Sequence, residues 1–408
     1  MSNTQPSSPS SMFAPWVMVL IAGSCIVTVT LGIRQVFGLF MVPISNELGT
    51  GLQTFSLAIA AQNLLWGASS PLFGALADKI GAWKVAALGA LIYSAGLLFT
   101  ALMVTEAGIF LGQILIGIGM GSAGISIAIG AVARAVPPEK HSLAFGMVTS
   151  FGSFGQFALL PITQLLIGGY GWQMALIILS VLMGAMKAEA LGMRSDKPGS
   201  TRDVAAVTTG EALQLAVRSR DYLLLTTGVF VCGLQLVFIT THLPVYLRDH
   251  AISGNIASWA LALVGLFNIL GAFVCGWLGG KLSKRKTLAT VYLLRGLVIA
   301  AFVITPPSAT SALIFGAAMG LLWLGTIPLT SGLIVVFFGP KHLSMLYGIV
   351  FLSHQLGSFV GAWLGGYLYD LNASYELMWW LNVAAGLFAF GINWLIREAP
   401  IMPQTARA

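Results

Sequence analysis

Residues 74–84 read Gly-Ala-Leu-Ala-Asp-Lys-Ile-Gly-Ala-Trp-Lys, and residues 276–286 read Gly-Trp-Leu-Gly-Gly-Lys-Leu-Ser-Lys-Arg-Lys. The two stretches align at an offset of 202 residues, with Gly280 in the position of Asp78. Each is a short polar segment between two long apolar runs. The recurrence of such a segment at a fixed offset indicates that the chain consists of two related halves.

The composition places those apolar runs in a membrane. The chain has 408 residues, of which 57% are hydrophobic and only 8% are charged, whereas about a quarter of the residues in a soluble domain are charged. A membrane helix needs about 20 apolar residues. By this measure the sequence predicts twelve spans, over residues 14–41, 53–77, 85–104, 108–133, 142–167, 172–192, 222–247, 255–280, 287–305, 310–338, 343–369 and 375–396.

A second repeat marks one ionisable side chain. Residues 347–359 match residues 145–157 at the same offset of 202, and the two copies share an aromatic residue, two glycines, a valine and a final phenylalanine. His354 stands where the first copy has Gly152. The imidazole therefore occurs in one half only. It lies about 11 residues into its span, hence roughly 16 Å deep and near the membrane midplane.

The basic residues fix the predicted orientation. With the N-terminus inside, 17 of the 20 lysines and arginines fall on the cytoplasmic side, and only Arg248 lies in an outer loop. This is the positive-inside pattern of membrane proteins. It explains the net charge of +7 without a nucleic-acid partner. We predict a multi-pass protein of the inner membrane, in contact with the lipid bilayer, with both termini cytoplasmic.

The polar segment at residues 74–84 resembles the signature of the major facilitator superfamily, G-x-L-x-D-[RK]-x-G-[RK]-[RK]. The resemblance implies an all-α fold of twelve transmembrane helices, in two six-helix halves arranged as a parallel repeat. It also implies that the segment controls conformation, since its aspartate can cap a helix end and pair with basic neighbours. The alternative is a solvated charged loop. The residues concerned are Gly74, Leu76, Asp78, Lys79, Gly81 and Lys84 in the first copy, the last one position late, and Gly276 and Lys281 in the second.

The repeats and the composition divide the chain into five parts. The linker between the halves is polar, and its residues 211–218 have the spacing of an amphipathic helix on the membrane surface. The parts are a disordered cytoplasmic tail over residues 1–12, an N-terminal bundle over 13–192, the linker over 193–221, a C-terminal bundle over 222–398 and a second cytoplasmic tail over 399–408.

The ionisable residues inside the spans are all potential cations. All 13 Asp and Glu residues can be assigned to loops or span ends, which leaves Arg34, Arg295 and His354 in the membrane. A buried cation is costly unless an opposite charge accompanies it. Because no internal carboxylate is available, we interpret the substrate as the missing partner and predict that it is an organic anion.

Each of these cations has a structural alternative. Arg34 could cap helix ends or snorkel outward, Arg295 could bond carbonyls in a peripheral span, and His354 could be a neutral, hydrogen-bonded residue between helices. We expect Arg34 and His354 to contact the substrate, and His354 also to carry a proton, because an imidazole titrates near neutral pH. Polar or aromatic residues at similar depth complete the predicted site, namely Gln62, Asn63, Gln235, Asn268, Trp323 and Gln355.

Residues 32–40, Gly-Ile-Arg-Gln-Val-Phe-Gly-Leu-Phe, are similar to the first-helix signature of monocarboxylate transporters and oxalate–formate exchangers, G-x-x-x-x-F-G-x-F. Those families usually carry an arginine in span eight that binds the carboxylate, but here Ala272 takes its place. The resemblance therefore implies anion transport with a rearranged set of cations. Arg34 and His354 would take over anion binding, and Arg295 could compensate for the lost arginine.

We therefore predict a secondary active transporter of small organic anions, monocarboxylates in particular, that works by rocker-switch alternating access. Proton symport through His354 is the coupling hypothesis. Two alternatives stay open: an exporter of drugs or amphipathic metabolites, and a membrane sensor that binds its ligand without moving it. No nucleophile–base pair, metal-ligand cluster or phosphate loop stands out, so we predict no enzyme activity, cofactor or metal. We expect a monomer.

Overall fold

The computed structural model describes residues 15–136, 141–194, 209–339 and 343–401. Within these ranges the regular secondary structure is entirely helical, and no strand occurs. The predicted all-α polytopic fold is confirmed. The first predicted tail, most of the second and much of the linker lie outside the described residues, as does the side chain of Asp78.

Fifteen α-helices form the described part of the chain, and we number them in chain order. The first half contains α1 (Pro15–Gln35), α2 (Phe37–Leu48), α3 (Leu52–Ile80), α4 (Ala82–Leu102), α5 (Glu106–Ala123), α6 (Ile125–Ala135) and α7 (His141–Glu189). Helix α8 (Thr209–Arg218) lies in the linker. The second half contains α9 (Arg220–Asp249), α10 (Gly254–Lys281), α11 (Lys284–Ile304), α12 (Ala309–Leu322), α13 (Thr326–Phe338), α14 (Leu343–Asn372) and α15 (Glu376–Trp394).

The described helices cross the membrane twelve times. Ten helical stretches are long and apolar enough to span a membrane. One of them, Ala144–Met193, has 50 residues and bends at Gly171, whose φ of 82° lies in the left-handed region. Glycine adopts that conformation without a Cβ clash, and the bend makes this stretch two crossings. Helix α3, with 29 residues, is the twelfth.

Three of the crossings are broken near their middle. Helix α1 gives way to α2 at Val36, α5 gives way to α6 at Gly124, and α12 gives way to α13 over residues 323–325. A break exposes backbone N–H and C=O groups, which are costly to leave unsatisfied in a membrane. Neighbouring side chains must bond these groups, so the breaks mark positions where polar residues are needed.

The two halves meet along three seams, α2 against α9, α3 against α14, and α7 against α10. We call the side that carries the linker the inner side and the opposite side the outer side. On the outer side the seams are closed. Gly38 lies against the backbone carbonyl of Thr240, and the Asp370 carboxylate accepts hydrogen bonds from the amides of Leu52 at 3.0 Å and Gln53 at 2.8 Å.

Toward the inner side the long seam helices separate. Leu72 of α3 is 72% exposed and Phe273 of α10 is 75% exposed. Four glycines on the inner parts of the seam helices have open space beside them, because an added Cβ would meet no atom within 4 Å at Gly74, Gly146, Gly280 or Gly348. We interpret this arrangement as closed to the outer side and open to the inner side.

The segment that is predicted to control conformation forms the turn between α3 and α4. Gly81 in this turn has a φ of 97°, a conformation that favours glycine. In both copies of the segment a lysine packs over a tryptophan ring, Lys84 at 5.6 Å from Trp83 and Lys281 at 4.3 Å from Trp277. Lys79 is exposed. The controlling role of the aspartate in this segment stays a prediction.

Candidate functional site

The guanidinium of Arg34 lies at the break between α1 and α2. Its Nη2 donates to Asn63 Oδ1 at 3.0 Å, and its Nη1 donates to Gln35 Oε1 at 3.3 Å. The guanidinium also lies over the ring of Trp66, 5.0 Å from the ring centroid. None of these partners is charged, and within the described part of the chain Arg34 makes no ion pair. Arg34 is half-buried, so its positive charge is partly desolvated and has no counter-charge.

A cavity of about 10 Å³ lies against Arg34 where the outer side closes. This volume corresponds to about one water molecule. Residues of both halves line it, among them Gln35, Gln62 and Asn63 from the first half and Val237 and Thr240 from the second. The closed outer seam therefore begins directly beside the guanidinium, and a ligand larger than water can approach Arg34 only from the inner side.

Two aromatic rings join Arg34 to His354. Trp66 meets Phe351 of the second half edge-to-face, with ring centroids 5.3 Å apart. Phe351 in turn lies parallel to the His354 imidazole, with an interplanar angle of 5° and centroids 6.0 Å apart. We call the group of Arg34, Asn63, Trp66, Phe351 and His354 the central site. It contains both residues that we predicted as main substrate contacts.

The sequence reasoning missed Trp66 and Phe351, although a signal was available. Trp66 follows Asn63 by three positions, and Phe351 precedes His354 by three. Residues three apart share one face of a helix. Searching that face for aromatic neighbours would have added both rings to the predicted site.

His354 contacts Ser358 and Cys232 through its ring. Its Nδ1 lies 3.4 Å from the hydroxyl of Ser358, and that hydroxyl donates its proton to the His354 carbonyl at 2.9 Å. His242 shows what a structural histidine looks like in this protein. It is fully buried, and its two ring nitrogens lie 2.9 Å from the Tyr375 hydroxyl and 2.8 Å from the Ala362 carbonyl. By contrast His354 is half-buried, and its ring lies near the hydroxyl of Ser358 and bonds the sulfur of Cys232, which also accepts from Arg295.

Buried amides with unused hydrogen-bonding groups lie beside the central site. Gln355 is fully buried, and neither its side-chain nitrogen nor its oxygen has a partner. It packs against Gly67, where an added Cβ would lie 2.7 Å from Gln355 Cγ. The Nε2 of Gln35 is also buried without a partner. Gln62 has only the sulfur of Met120 at 3.3 Å, a weak acceptor. Most buried polar groups are bonded, so these amides carry hydrogen-bonding capacity that the described residues do not use.

Arg295 has a different position from the other two cations. It is fully buried, and it donates to the Leu322 carbonyl from Nε at 2.8 Å and from Nη2 at 2.6 Å. Nη2 also donates to the Trp323 carbonyl, and Nη1 donates to the Cys232 sulfur at 3.2 Å. Arg295 thus braces the C-terminal end of α12 by donating hydrogen bonds to its carbonyls, where the helix dipole is negative. These bonds use four of its five N–H groups, and we leave Arg295 out of the central site.

Three other predicted residues also lie away from Arg34. Asn268 accepts from the Leu324 amide at 2.9 Å and donates to the Ser153 hydroxyl at 2.9 Å, so both ends of its amide are occupied. Gln235 is fully buried and donates to a carbonyl of α15 at 3.0 Å. Trp323 is 3% exposed. The structure uses these residues to hold helices together and does not bring them to the central site.

Twelve membrane crossings in two groups, closed on one side and open on the other around an unpaired cation, define a membrane transport protein. The family comparison makes this assignment specific. The model of the Major Facilitator Superfamily matches residues 23–323 and 223–407. The chain belongs to this superfamily, and the membership predicted from residues 74–84 is confirmed.

Known proteins similar to this chain include bacterial and mammalian proteins that are named as transporters. The chain is 25% identical over 383 residues to the uncharacterized MFS-type transporter YcxA of Bacillus subtilis (strain 168), covering 91% of each protein. It is 24% identical over 383 residues to Monocarboxylate transporter 13 of Rattus norvegicus, covering 91% of this chain and 86% of that protein.

A solved structure shares the fold. It is that of a bacterial homolog of the human lysosomal transporter Spinster in an inward-facing and unoccupied conformation, which superposes with a TM-score of 0.74. The two chains are 15% identical, and the match covers 95% of this chain and 94% of the other. The fold of this protein is thus that of a multi-pass membrane transporter.

Proposed function

We propose that this protein is a secondary transporter of small organic anions, monocarboxylates in particular, that works by alternating access in an inner membrane. The observation that carries the proposal is the state of Arg34. Its guanidinium lies at the closed outer seam and is bonded only to the neutral side chains of Asn63 and Gln35 and to the Trp66 ring.

The electrostatics of this arrangement favour a bound anion. A cation that is taken out of water costs free energy unless an opposite charge lies beside it. Within the described part of the chain no carboxylate contacts Arg34, so a carboxylate on the substrate would supply the missing charge. The unpartnered amides of Gln355 and Gln35 can donate further hydrogen bonds to such a group.

The same charge couples binding to movement. In the inward-open structure Arg34 is half-buried, and closing the inner side would remove it from water altogether. An empty site would then enclose an uncompensated cation, whereas a site with a bound carboxylate would enclose a neutral pair. The anion therefore lowers the free energy of the occluded state, which is the differential interaction that alternating access requires.

Proton coupling through His354 belongs to the same proposal. Protonation would place a second cation at the far end of the central site and strengthen anion binding. By linkage, a bound anion would favour the protonated imidazole by the same factor. His354 is half-buried, which supports this role because a proton carrier must reach the ligand or water.

Binding and transport measurements on Arg34 variants test the proposal. We expect isothermal titration of purified protein to show carboxylate binding, and Arg34→Gln to weaken it about 10- to 100-fold, as for loss of a charged hydrogen bond. Arg34→Lys keeps the charge and should lose less. Arg248→Gln is the matched control, because Arg248 is exposed and pairs with Asp249 at 3.4 Å in the outer loop.

Three outcomes separate the alternatives. Counterflow of a carboxylate in proteoliposomes that is lost in Arg34→Gln supports the proposal. Binding of bulky neutral or cationic compounds, with no response to carboxylates, would instead identify an exporter of amphipathic compounds. Carboxylate binding without counterflow would identify a sensor.

A further inference from the structure

We propose, on the basis of the anion transport proposed above, that the transported carboxylate carries an aromatic ring. The ring would lie on the surface formed by Trp66 and Phe351, with the carboxylate bound to Arg34. This assigns a substrate class, aromatic monocarboxylates, and makes Trp66 and Phe351 the residues that select it.

Two aromatic rings lie between the two cations of the central site. The guanidinium of Arg34 lies 5.0 Å from the centroid of Trp66, whose ring lies 5.3 Å from that of Phe351, and a further 6.0 Å leads to His354. A ligand that extends from Arg34 toward His354 must therefore cross two aromatic rings. Trp66 is 7% exposed and Phe351 is half-buried, so an anion with only two or three carbon atoms, bound at Arg34, would leave the exposed part of Phe351 without a contact.

The shape of the surface favours a flat ligand. The rings of Phe351 and His354 are parallel within 5°, and both residues are half-buried on the seam helix α14. Trp66 is buried, so the accessible part of this surface is formed by Phe351 and His354. Aromatic rings gain free energy from offset-stacked and edge-to-face contacts beyond the area that they bury. A puckered aliphatic ring of the same size buries similar area but lacks these contacts.

A matched pair of ligands isolates this effect. Benzoate and cyclohexanecarboxylate have the same charge and similar size, and they differ in the planarity and π-electrons of the ring. We expect isothermal titration of the wild-type protein to show that benzoate binds about three- to tenfold more tightly, as for other aromatic contacts. The ratio of the two dissociation constants is the readout.

Substitutions then assign the selectivity to residues. Trp66→Leu and Phe351→Leu should bring the ratio close to one, because leucine keeps an apolar surface and removes the ring. Arg34→Gln should weaken both ligands equally and leave the ratio unchanged. Trp380→Leu is the control, because Trp380 lies on α15 and is 42% exposed. A purely structural role of Trp66 would weaken both ligands in parallel without changing the ratio.

The outcomes distinguish this inference from the proposal on which it rests. Equal binding of the two ligands by the wild-type protein, or a ratio that survives both leucine variants, overturns the aromatic assignment. Carboxylate binding that still depends on Arg34 would in that case leave the proposed function intact. If no carboxylate binds, both fail together. Should Trp66→Leu not fold, the wild-type ratio and Phe351→Leu decide.

Discussion

The Asp370 carboxylate holds the outer side closed, and its removal should open it. Asp370 belongs to α14 of the second half, and it accepts from the first two amides of α3 in the first half, those of Leu52 at 3.0 Å and Gln53 at 2.8 Å. Gly51, just before α3, lies against the same carboxylate. These bonds join the two halves only while the outer seam is closed, so they stabilise the inward-open state alone.

The size of the effect follows from the geometry. A side-chain acceptor at a helix N-terminus contributes about 0.5–2 kcal/mol, and a negative charge there adds about 0.3–1 kcal/mol. Asp370 is exposed, so solvent screening places the total toward the lower end of these ranges. Asp370→Asn removes the charge and one of the two acceptor oxygens. We expect a loss of about 1 kcal/mol, which shifts the conformational equilibrium about fivefold toward the outward-open state.

Hydrogen exchange measured by mass spectrometry can detect this change in the conformational equilibrium on both sides of the membrane. In Asp370→Asn, exchange should rise in the outer parts of α3 and α14 and fall in the inner part of α14, which gains cover when the inner side closes. Asp249→Asn is the control, since Asp249 pairs with Arg248 and bonds Tyr369, both of the same half. Faster exchange confined to the first turn of α3, with the inner side unchanged, would show that Asp370 is a local cap and would refute the reasoning.

The remaining predictions concern single side chains. Arg295→Met should destabilise the protein by at least about 2 kcal/mol, because it leaves the carbonyls at the end of α12 without donors; an unchanged thermal unfolding temperature would contradict the bracing role. Gly38→Val should disfavour the inward-open state, because its side chain would collide with the Thr240 carbonyl, and the same exchange experiment should show the outer seam opening. His354→Gln should abolish uptake driven by a pH gradient while anion counterflow persists; pH-driven uptake at the full rate would rule out His354 as the proton carrier.

Much of the fold could be predicted because each span is a local property of the chain. An apolar run of about 20 residues identifies a membrane helix without knowledge of its neighbours. The bend at Gly171 falls between two predicted spans for the same reason. The breaks at Val36, Gly124 and residues 323–325 could not be predicted, because the sequence around them is as apolar as in an unbroken span. They depend on partners distant in sequence, such as Arg295, which bonds the carbonyls of Leu322 and Trp323.

The candidate site was only partly predictable for a related reason. Depth in the membrane can be counted along a helix, and it places Asn63 and His354 near the midplane and Arg34 nearer the outer end of its span. The direction in which a side chain points around its helix axis cannot be counted in the same way. Gln235 and Asn268 have suitable depths, but they point toward α15 and toward the break after α12, respectively. Helix rotation is set by packing between helices, which a single sequence does not reveal.

The duplicated halves explain why the central site lies on the seam between α3 and α14 and not on the seam between α7 and α10. Trp66 and Asn268 occupy equivalent positions at the offset of 202 residues, as do Ser153 and Gln355. On the seam between α7 and α10, Asn268 and Ser153 bond each other at 2.9 Å. On the seam between α3 and α14, Trp66 contacts the guanidinium and Gln355 has no partner. The equivalent residues thus bond each other on one seam. On the other seam Trp66 contacts the cation, and Gln355 has unused hydrogen-bonding groups.

This asymmetry also accounts for the missing arginine of span eight. Position 272 lies on α10, and that helix contributes Asn268 to a seam whose polar pair is already complete. The uncompensated charge of Arg34, by contrast, contacts Trp66 on the opposite seam. An anion that binds at α3 and α14, as proposed, would therefore not need a span-eight arginine. The second cation would be His354, at the far end of the same aromatic surface. The Ala272→Arg substitution should then leave carboxylate affinity unchanged as long as Arg34 is present. Isothermal titration of this variant, and of the Arg34→Gln, Ala272→Arg double variant, would show whether the introduced arginine can replace Arg34 in binding. Restored binding in the Arg34→Gln, Ala272→Arg double variant would show instead that the anion reaches both seams.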